Sequence, residues 1–362
     1  MDIEKKEEFI ERIYYLLCGG YKYLYETGKR TGHWDDIRGT ALAGIALDFK
    51  EPANSVWLRL IRNWLIKNQL NQGDVAGAWG EEIWDTAMCV MALKSFELSS
   101  KDPIIKTSID WIASLYQINK RNNWHDEPWE TCWALIAILT SGTIPSNINV
   151  EEPVKWLLEF QESDGRIIAP HYTAYYLIIW DRLKKTRLSE EAAVQFEKAK
   201  ELGVGYLKNL LKDASDDTLW SGEAWANGQI LWAMSCIEPS IIEDEQITER
   251  IVKWFEVTQG TLGCWSDIED TSSAIIGLYR LLEGITNSAE SLKGRGIKQT
   301  LQKRLPSPDI YIKKPFIEKH VETGGISIHL NNRLIKVLAI FGTLCAGFVT
   351  IYSLFDIIKK LL

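Results

Sequence analysis

A unit of about 45 residues recurs along this chain, and a recurrence of that length dictates the kind of fold available to it. Aromatic residues stand ahead of a turn at Trp34, Trp79, Trp124, Trp220 and Trp265, and Arg166 takes the equivalent place between Trp124 and Trp220. The intervals are 45, 45, 42, 54 and 45 residues, which makes six units. A single unit of this size cannot bury its own apolar face, so stability has to come from packing neighbouring copies against one another.

Each unit follows the same order. A first helix carries an aromatic residue and then an apolar one: Tyr23-Leu24, Trp64-Leu65, Trp111-Ile112, Trp156-Leu157, Tyr206-Leu207 and Trp254-Phe255. A polar turn follows, often with Gln and Gly, as in NQLNQGDVAGAW and QESDG. A short acidic stretch comes next, and a Thr opens a second helix at Thr40, Thr86, Thr131, Thr173 and Thr271, with Asn227 near that place in the fifth unit. The second helices, such as TAMCVMALKSF and TCWALIAIL, are apolar around most of their circumference, which marks a helix buried on all sides. The first helices are more amphipathic. Six outer and six inner helices in alternation are therefore expected, either as an open solenoid or as a closed ring.

Composition narrows the setting. The chain has 362 residues and a formal charge of -8, with no basic footprint for nucleic acid. Sixteen Trp and thirteen Tyr can furnish an extensive aromatic core. Six Cys occur without a CxxC pair, and Cys89, Cys132 and Cys236 fall in apolar helical stretches that point to core packing. The run Val337 to Phe355 has 19 residues and no charge, and as a helix it would span about 28 Å, close to a bilayer core. It is read as a single-pass membrane anchor followed by a short charged tail at 356–362. The start, MDIEKKEEF, lacks the apolar stretch of a signal peptide, so the large domain is expected on the cytoplasmic side. Between them, residues 288–336 form a basic extension and linker. Its stretch 303–336 has seven Lys or Arg against three Asp or Glu, suited to anionic lipid headgroups.

The Gln…Gly-x-Trp turn and the acidic-Thr helix start resemble the repeat of triterpene cyclases and are similar to that of protein prenyltransferase beta subunits. Both families adopt an alpha/alpha toroid of six outer and six inner helices. The resemblance covers about Glu7 to Asn287 and implies an all-α, six-unit toroid over 7–287. Squalene-hopene cyclases and class II diterpene cyclases also carry an Asp-x-Asp-Asp-Thr motif whose middle Asp protonates an alkene or epoxide. Here the stretch reads Asp267-Ile268-Glu269-Asp270-Thr271, with Glu269 at the middle. By this resemblance Glu269 would donate the proton while Asp267 and Asp270 tune and orient it. A carbocation also needs aromatic walls and exclusion of water, and Trp84, Trp129, Trp133, Tyr175, Tyr176, Trp225 and Trp232 are the candidate lining.

Two departures separate the chain from those cyclases. They generally build their site with a second helical domain, and this chain has length for one toroid; its central acid is also changed. The prenyltransferase zinc set is not matched either. That set places Asp and Cys two apart, whereas Asp267 follows Cys264 by three, so no metal is expected. No redox cofactor is implied.

The residues themselves give a plainer account of the acidic stretch. Asp270-Thr271 aligns with Asp85-Thr86 and Glu130-Thr131, and acids at a helix start bond unpaired N–H groups and favour the dipole. Two residues before the Thr, however, the units carry Arg38, Trp84, Trp129, His171 and Glu269. If the helix starts surround one mouth, Arg38, His171 and Glu269 share a pocket there. Asp35-Asp36, Glu81-Glu82, Asp126-Glu127 and Asp267 would form an acidic rim able to attract a cation. Two functions stand on these readings. One is a membrane-associated cyclase of an isoprenoid-like lipid, with membrane lipid as its source. The other is a non-catalytic, anchored toroid that binds a small-molecule ligand or a protein partner in signalling or bacterial defence.

Overall fold

The computed structural model describes residues 1–118, 122–213, 218–238, 244–288, 296–304, 320–323 and 326–329. The chain divides into two compact units, Met1–Pro308 and Asp309–Leu362. In the first, the outer helices are α1 (Ile3–Thr27), α3 (Val56–Lys67), α5 (Pro103–Ile118), α7 (Glu151–Leu158), α9 (Glu190–Asp213) and α11 (Glu245–Thr258). The inner helices are α2 (Ile37–Asp48), α4 (Ile83–Ser95), α6 (Pro128–Ser141), α8 (Pro170–Leu183), α10 (Ala224–Ile237) and α12 (Ile268–Asn287). Each inner helix packs on the next, and α12 packs on α2, so the inner layer closes into a ring. The burial pattern explains which helices go inside. In α4 every residue from Thr86 to Leu93 is buried, whereas α3 buries only Trp57, Leu58, Ile61 and Leu65.

One hydrogen bond is made in all six units. The buried side chain that opens the inner helix accepts from the backbone N–H of the turn residue before it. The pairs are Trp34→Thr40 (3.0 Å), Trp79→Thr86 (3.1 Å), Trp124→Thr131 (3.1 Å), Ile167→Thr173 (3.0 Å), Trp220→Asn227 (3.2 Å) and Trp265→Thr271 (3.0 Å). Asn227 thus does the work of Thr with its amide oxygen. The bond also corrects the repeat: Ile167, 1% exposed, holds the fourth aromatic place. Arg166 is instead paired with Glu162 at the surface. An apolar side chain is needed at that place because it is buried between the layers, which a guanidinium cannot tolerate without a partner.

The indoles explain the aromatic–apolar pair of the outer helix. Trp79, Trp124, Trp220 and Trp265 donate through Nε1 to the carbonyls of Leu65, Ile112, Leu207 and Phe255 at 2.6, 2.8, 2.9 and 3.0 Å. A carbonyl oxygen has two lone pairs, so each of these groups in an outer helix can accept the indole N–H beside a backbone donor. The turn Gln then joins one unit to the next. Gln69, Gln161 and Gln259 each donate across to an outer helix, to Ile104, Ala199 and Leu16, all at 3.0 Å. Leu16 lies in α1, so the bond that links successive units also closes the sixth onto the first. At that seam Gly263 has φ +84°, and a Cβ there would meet the Gly19 carbonyl oxygen at 2.5 Å. Arg12 of α1 adds ion pairs to Glu249 and Glu256 of α11, both 2.7 Å.

A further helix, α13 (Ile297–Arg304), lies within the stretch read from sequence as extension and linker. It packs on α1 with Leu301 fully buried, and Gln302 donates to the Lys50 carbonyl at 2.7 Å. In the second unit, β1 (His320–Thr323) pairs antiparallel with β2 (Ile326–His329), His320 opposite His329. The apolar run 337–355 lies outside the described residues. Among the described residues no helix is long and apolar enough to cross a membrane. Cys89 and Cys132 are buried as expected, while Cys236, in the last turn of α10, is exposed.

Two substitutions test this construction. Thr131→Val keeps the side-chain size but leaves the buried Trp124 N–H without an acceptor, an expected loss of about 1–3 kcal/mol in denaturant unfolding. Gly263→Ala places a non-glycine residue at positive φ against the α1 backbone, and the same assay should show a loss of about 1–3 kcal/mol or more.

Candidate functional site: the mouth of the ring

All six inner helices begin at a turn of the same design, so their N-termini gather at one end of the ring. That end concentrates unpaired N–H groups and the positive ends of six helix dipoles. Acidic side chains answer them. Asp36 accepts from its own helix at Gly39 N–H (2.6 Å), and Asp267 from Asp270 N–H (2.9 Å). The acid just before the Thr behaves differently. Asp270 accepts from Trp225 N–H (2.6 Å) and Glu130 from Ile83 N–H (3.0 Å), each at the start of the preceding inner helix. Asp85 likewise reaches back to α2, to Arg38 Nε at 3.1 Å. The Asp-Thr pair is therefore divided in labour: Thr fixes its own unit and the acid caps the neighbour.

Inside this acidic rim the residue two before the Thr or Asn forms a second ring: Arg38, Trp84, Trp129, His171, Trp225 and Glu269. The Arg38 guanidinium lies 3.0 Å from the centre of the Trp84 ring. Trp84 and Trp129 meet edge to face at 5.2 Å, as do Trp129 and His171 at 6.0 Å, and His171 and Trp225 lie tilted at 5.2 Å. Glu269 Oε1 closes back on Arg38 Nη1 at 3.4 Å. The sequence comparison of units brought five of these positions together. Trp225 completes the ring, and the signal that finds it is Asn227, once Asn is allowed to stand for Thr.

The remaining candidates separate by depth. Trp133 and Tyr175 lie one turn below Trp129, at ring distances of 5.9 and 5.4 Å. Tyr175 donates to Gln229 Oε1. Trp232 lies deeper along the axis, with the Arg182 guanidinium 5.6 Å from its ring. Tyr176, expected in the lining, turns to the outer layer and donates to the Phe196 carbonyl at 2.6 Å. Successive helix positions point about 100° apart, so adjacent tyrosines cannot both face the axis. Among the described residues the axis is packed with buried inner-helix side chains, and a cavity of about 10 Å³ lies there, lined by Leu42, Ile45, Met88, Met91, Trp133, Gln229, Trp232, Ser273 and Ile276.

Burial sets the protonation of the mouth. The Glu269 carboxyl is pushed up to about 7 chiefly by desolvation, against the Arg38 guanidinium, which lowers it, and with Asp36, Asp267 and Asp85 adding to the rise. Glu130 is also pushed up to about 7, again by desolvation first, while its bond from Ile83 N–H works the other way. His171 is lowered by burial, which favours the neutral imidazole, while Glu223 works the other way. Among the described residues no group of three or more His, Cys, Asp or Glu is placed to hold a metal ion.

Residues 33–177 match the squalene-hopene cyclase C-terminal domain family. A squalene–hopene cyclase of Bradyrhizobium diazoefficiens is 29% identical over 129 residues, 31% of this chain and 19% of that protein. The chain thus matches about a fifth of the relative's length. The match supports a terpenoid-cyclase-like α/α repeat, consistent with the all-helical ring. The family match runs from the first turn into α8 and ends before Glu269, so it supports the repeat and is silent on the acidic stretch.

The raised carboxyls give a pH prediction. Both have an ordinary value of 4.5 and a folded value of about 7, so between these limits the folded state holds more protons than the unfolded chain. Their contribution to stability is complete below about pH 4.5 and is lost as pH rises through about 7. Glu130→Gln keeps an acceptor for Ile83 N–H and removes the titration. Its Tm should fall less than that of the wild type between pH 4.5 and 8, measured by circular dichroism.

Proposed function

We propose that this chain is a non-catalytic binding toroid whose working surface is the mouth, and that it captures a protein partner through Lys or Arg side chains. The observation that carries this reading is the filled axis. A cavity of about 10 Å³ has no room for a polyprenyl chain, since ligand pockets for small molecules run to about 300–1,000 Å³. The mouth instead offers half-buried aromatic faces within a rim of exposed carboxylates, among them Asp35, Glu81, Glu82, Glu127 and Glu223. Arg38 illustrates the chemistry on offer. Its guanidinium lies on Trp84 and is flanked by Asp85, Glu269 and Glu82 at 3.1, 3.4 and 3.8 Å. A cation from a partner meets the same combination of ring face and carboxylate across the rim. In this reading the run 337–355 anchors the chain, and the ring works at the cytoplasmic face of a membrane.

The second reading is an isoprenoid cyclase with Glu269 as proton donor. The Glu269 carboxyl, raised to about 7 and set in the Asp267–Thr271 stretch, favours it. An enzyme of this kind would need the mouth to be roofed by another domain or chain.

Hexa-arginine is a direct probe of the first reading. It should perturb the fluorescence of the mouth tryptophans, bind more weakly as salt rises, and lose at least about tenfold in affinity in the Glu82→Lys/Glu223→Lys double variant. Equal binding by wild type and double variant would discard the mouth assignment. The cyclase reading makes the opposite demand: lipid extracts from cells expressing wild type and Glu269→Gln should differ in cyclised products. For the anchor, the full chain should sediment with membranes and a chain ending at residue 336 should not.

A further inference from the structure

The small cavity on the axis is unlike an ordinary packing defect. Its walls come from α2, α4, α6, α10 and α12, and most are apolar, but four carry hydrogen-bonding groups: Trp133, Gln229, Trp232 and Ser273. Trp133 and Ser273 are each 1% exposed. The Trp133 Nε1–H and the Ser273 hydroxyl are buried and meet no hydrogen-bond partner among the described residues. Gln229 uses its Oε1 to accept from the Tyr175 hydroxyl, which leaves its Nε2 to donate. An indole N–H or a hydroxyl left dry in a core is destabilising, and two such groups at the walls of one cavity call for a partner.

We infer that this cavity is a binding site for one ordered water molecule, which ties three inner helices together on the axis of the ring. The inference is independent of what the mouth binds. The volume of about 10 Å³ is close to the least that admits a single water. The polar partners are of the right number and kind, since a buried water makes two to four bonds. It accepts from Trp133 Nε1–H on α6 and from Gln229 Nε2–H on α10, and it donates to Ser273 Oγ on α12. An apolar cavity of this size would stay empty, but polar groups on its walls reverse that preference. The placement matters because Trp133 packs directly on Trp129 of the mouth at 5.9 Å and on Tyr175 at 4.9 Å. The water thus holds the floor on which the mouth aromatics rest.

A crystal structure of the full chain is the first test. Expected is one density peak about 2.7–3.2 Å from both Trp133 Nε1 and Ser273 Oγ. An empty cavity, or one filled by a Met88 or Met91 side chain, overturns the proposal. Unfolding equilibria give the second test. Trp133 and Ser273 share no direct bond, so a bridging water should make Trp133→Phe and Ser273→Ala non-additive by at least about threefold in the unfolding constant. Strict additivity also overturns it. If Trp133→Phe does not fold, Gln229→Leu takes its place in the same cycle, with the same two outcomes.

Discussion

Everything in the ring depends on how the turn between an outer and an inner helix is held. Its backbone N–H is buried beneath the layers, out of reach of water and of either helix ladder. A Thr hydroxyl, or the Asn227 amide, accepts it in every unit at 3.0 to 3.2 Å. A buried donor without a partner would cost more than the surplus one unit can spare. The bond therefore fixes the angle at which the chain re-enters the core. Four of the turn indoles strap the same turn to the outer helix, so the two constraints act on one short segment. Side-chain packing then has a single arrangement to fill.

The character of the mouth follows from that turn. Because every unit turns the same way, the inner helices run in one direction and their positive ends converge. Carboxylates are drawn to such a place whether or not a ligand exists. This accounts for an acidic rim in which no metal set is formed among the described residues. It also explains why Asp270 and Glu130 cap the helix before their own. Adjacent N-termini lie within reach of each other, and a side chain one turn into a helix points at its neighbour's first N–H. The rise of Glu269 and Glu130 to about 7 comes chiefly from desolvating them in a half-buried site, with neighbouring acids adding to it.

Arg38 gives the mouth its asymmetry. It is the guanidinium in a ring of otherwise aromatic, neutral or acidic side chains, and it links units that are adjacent only because the ring closes. Its contacts reach Glu269 in the last inner helix, Asp85 and Trp84 in the second. The aromatic arc from Trp84 through Trp225 occupies the remaining positions and continues downward into Trp133 and Tyr175. The repeat shared with squalene-hopene cyclases thus supports a mouth of distinct chemistry over an axis that is packed rather than hollow.

The six-unit period, the alternation of outer and inner helices and the positions of the Thr hinges were legible in the sequence, because each is a local pattern that recurs. Trp84, Trp129 and Glu269 could be aligned for the same reason. Three things were not legible. Arg166 and Ile167 are neighbours, and only burial tells which of them faces the layers. Trp225 was read as lining, but its equivalence to Trp84 and Trp129 was masked by an Asn that does a Thr's work, which only the bond it makes shows. Tyr175 and Tyr176 read alike, yet one helical step sends one to the axis and the other to α9. The ring's closure and its filled centre belong to tertiary structure alone. They depend on contacts between residues such as Gln259 and Leu16, at opposite ends of the ring's chain, and on the summed volume of side chains from five helices. A periodic sequence carries the repeat; how far each unit rotates, and what is left at the centre, is decided only when all of them pack together.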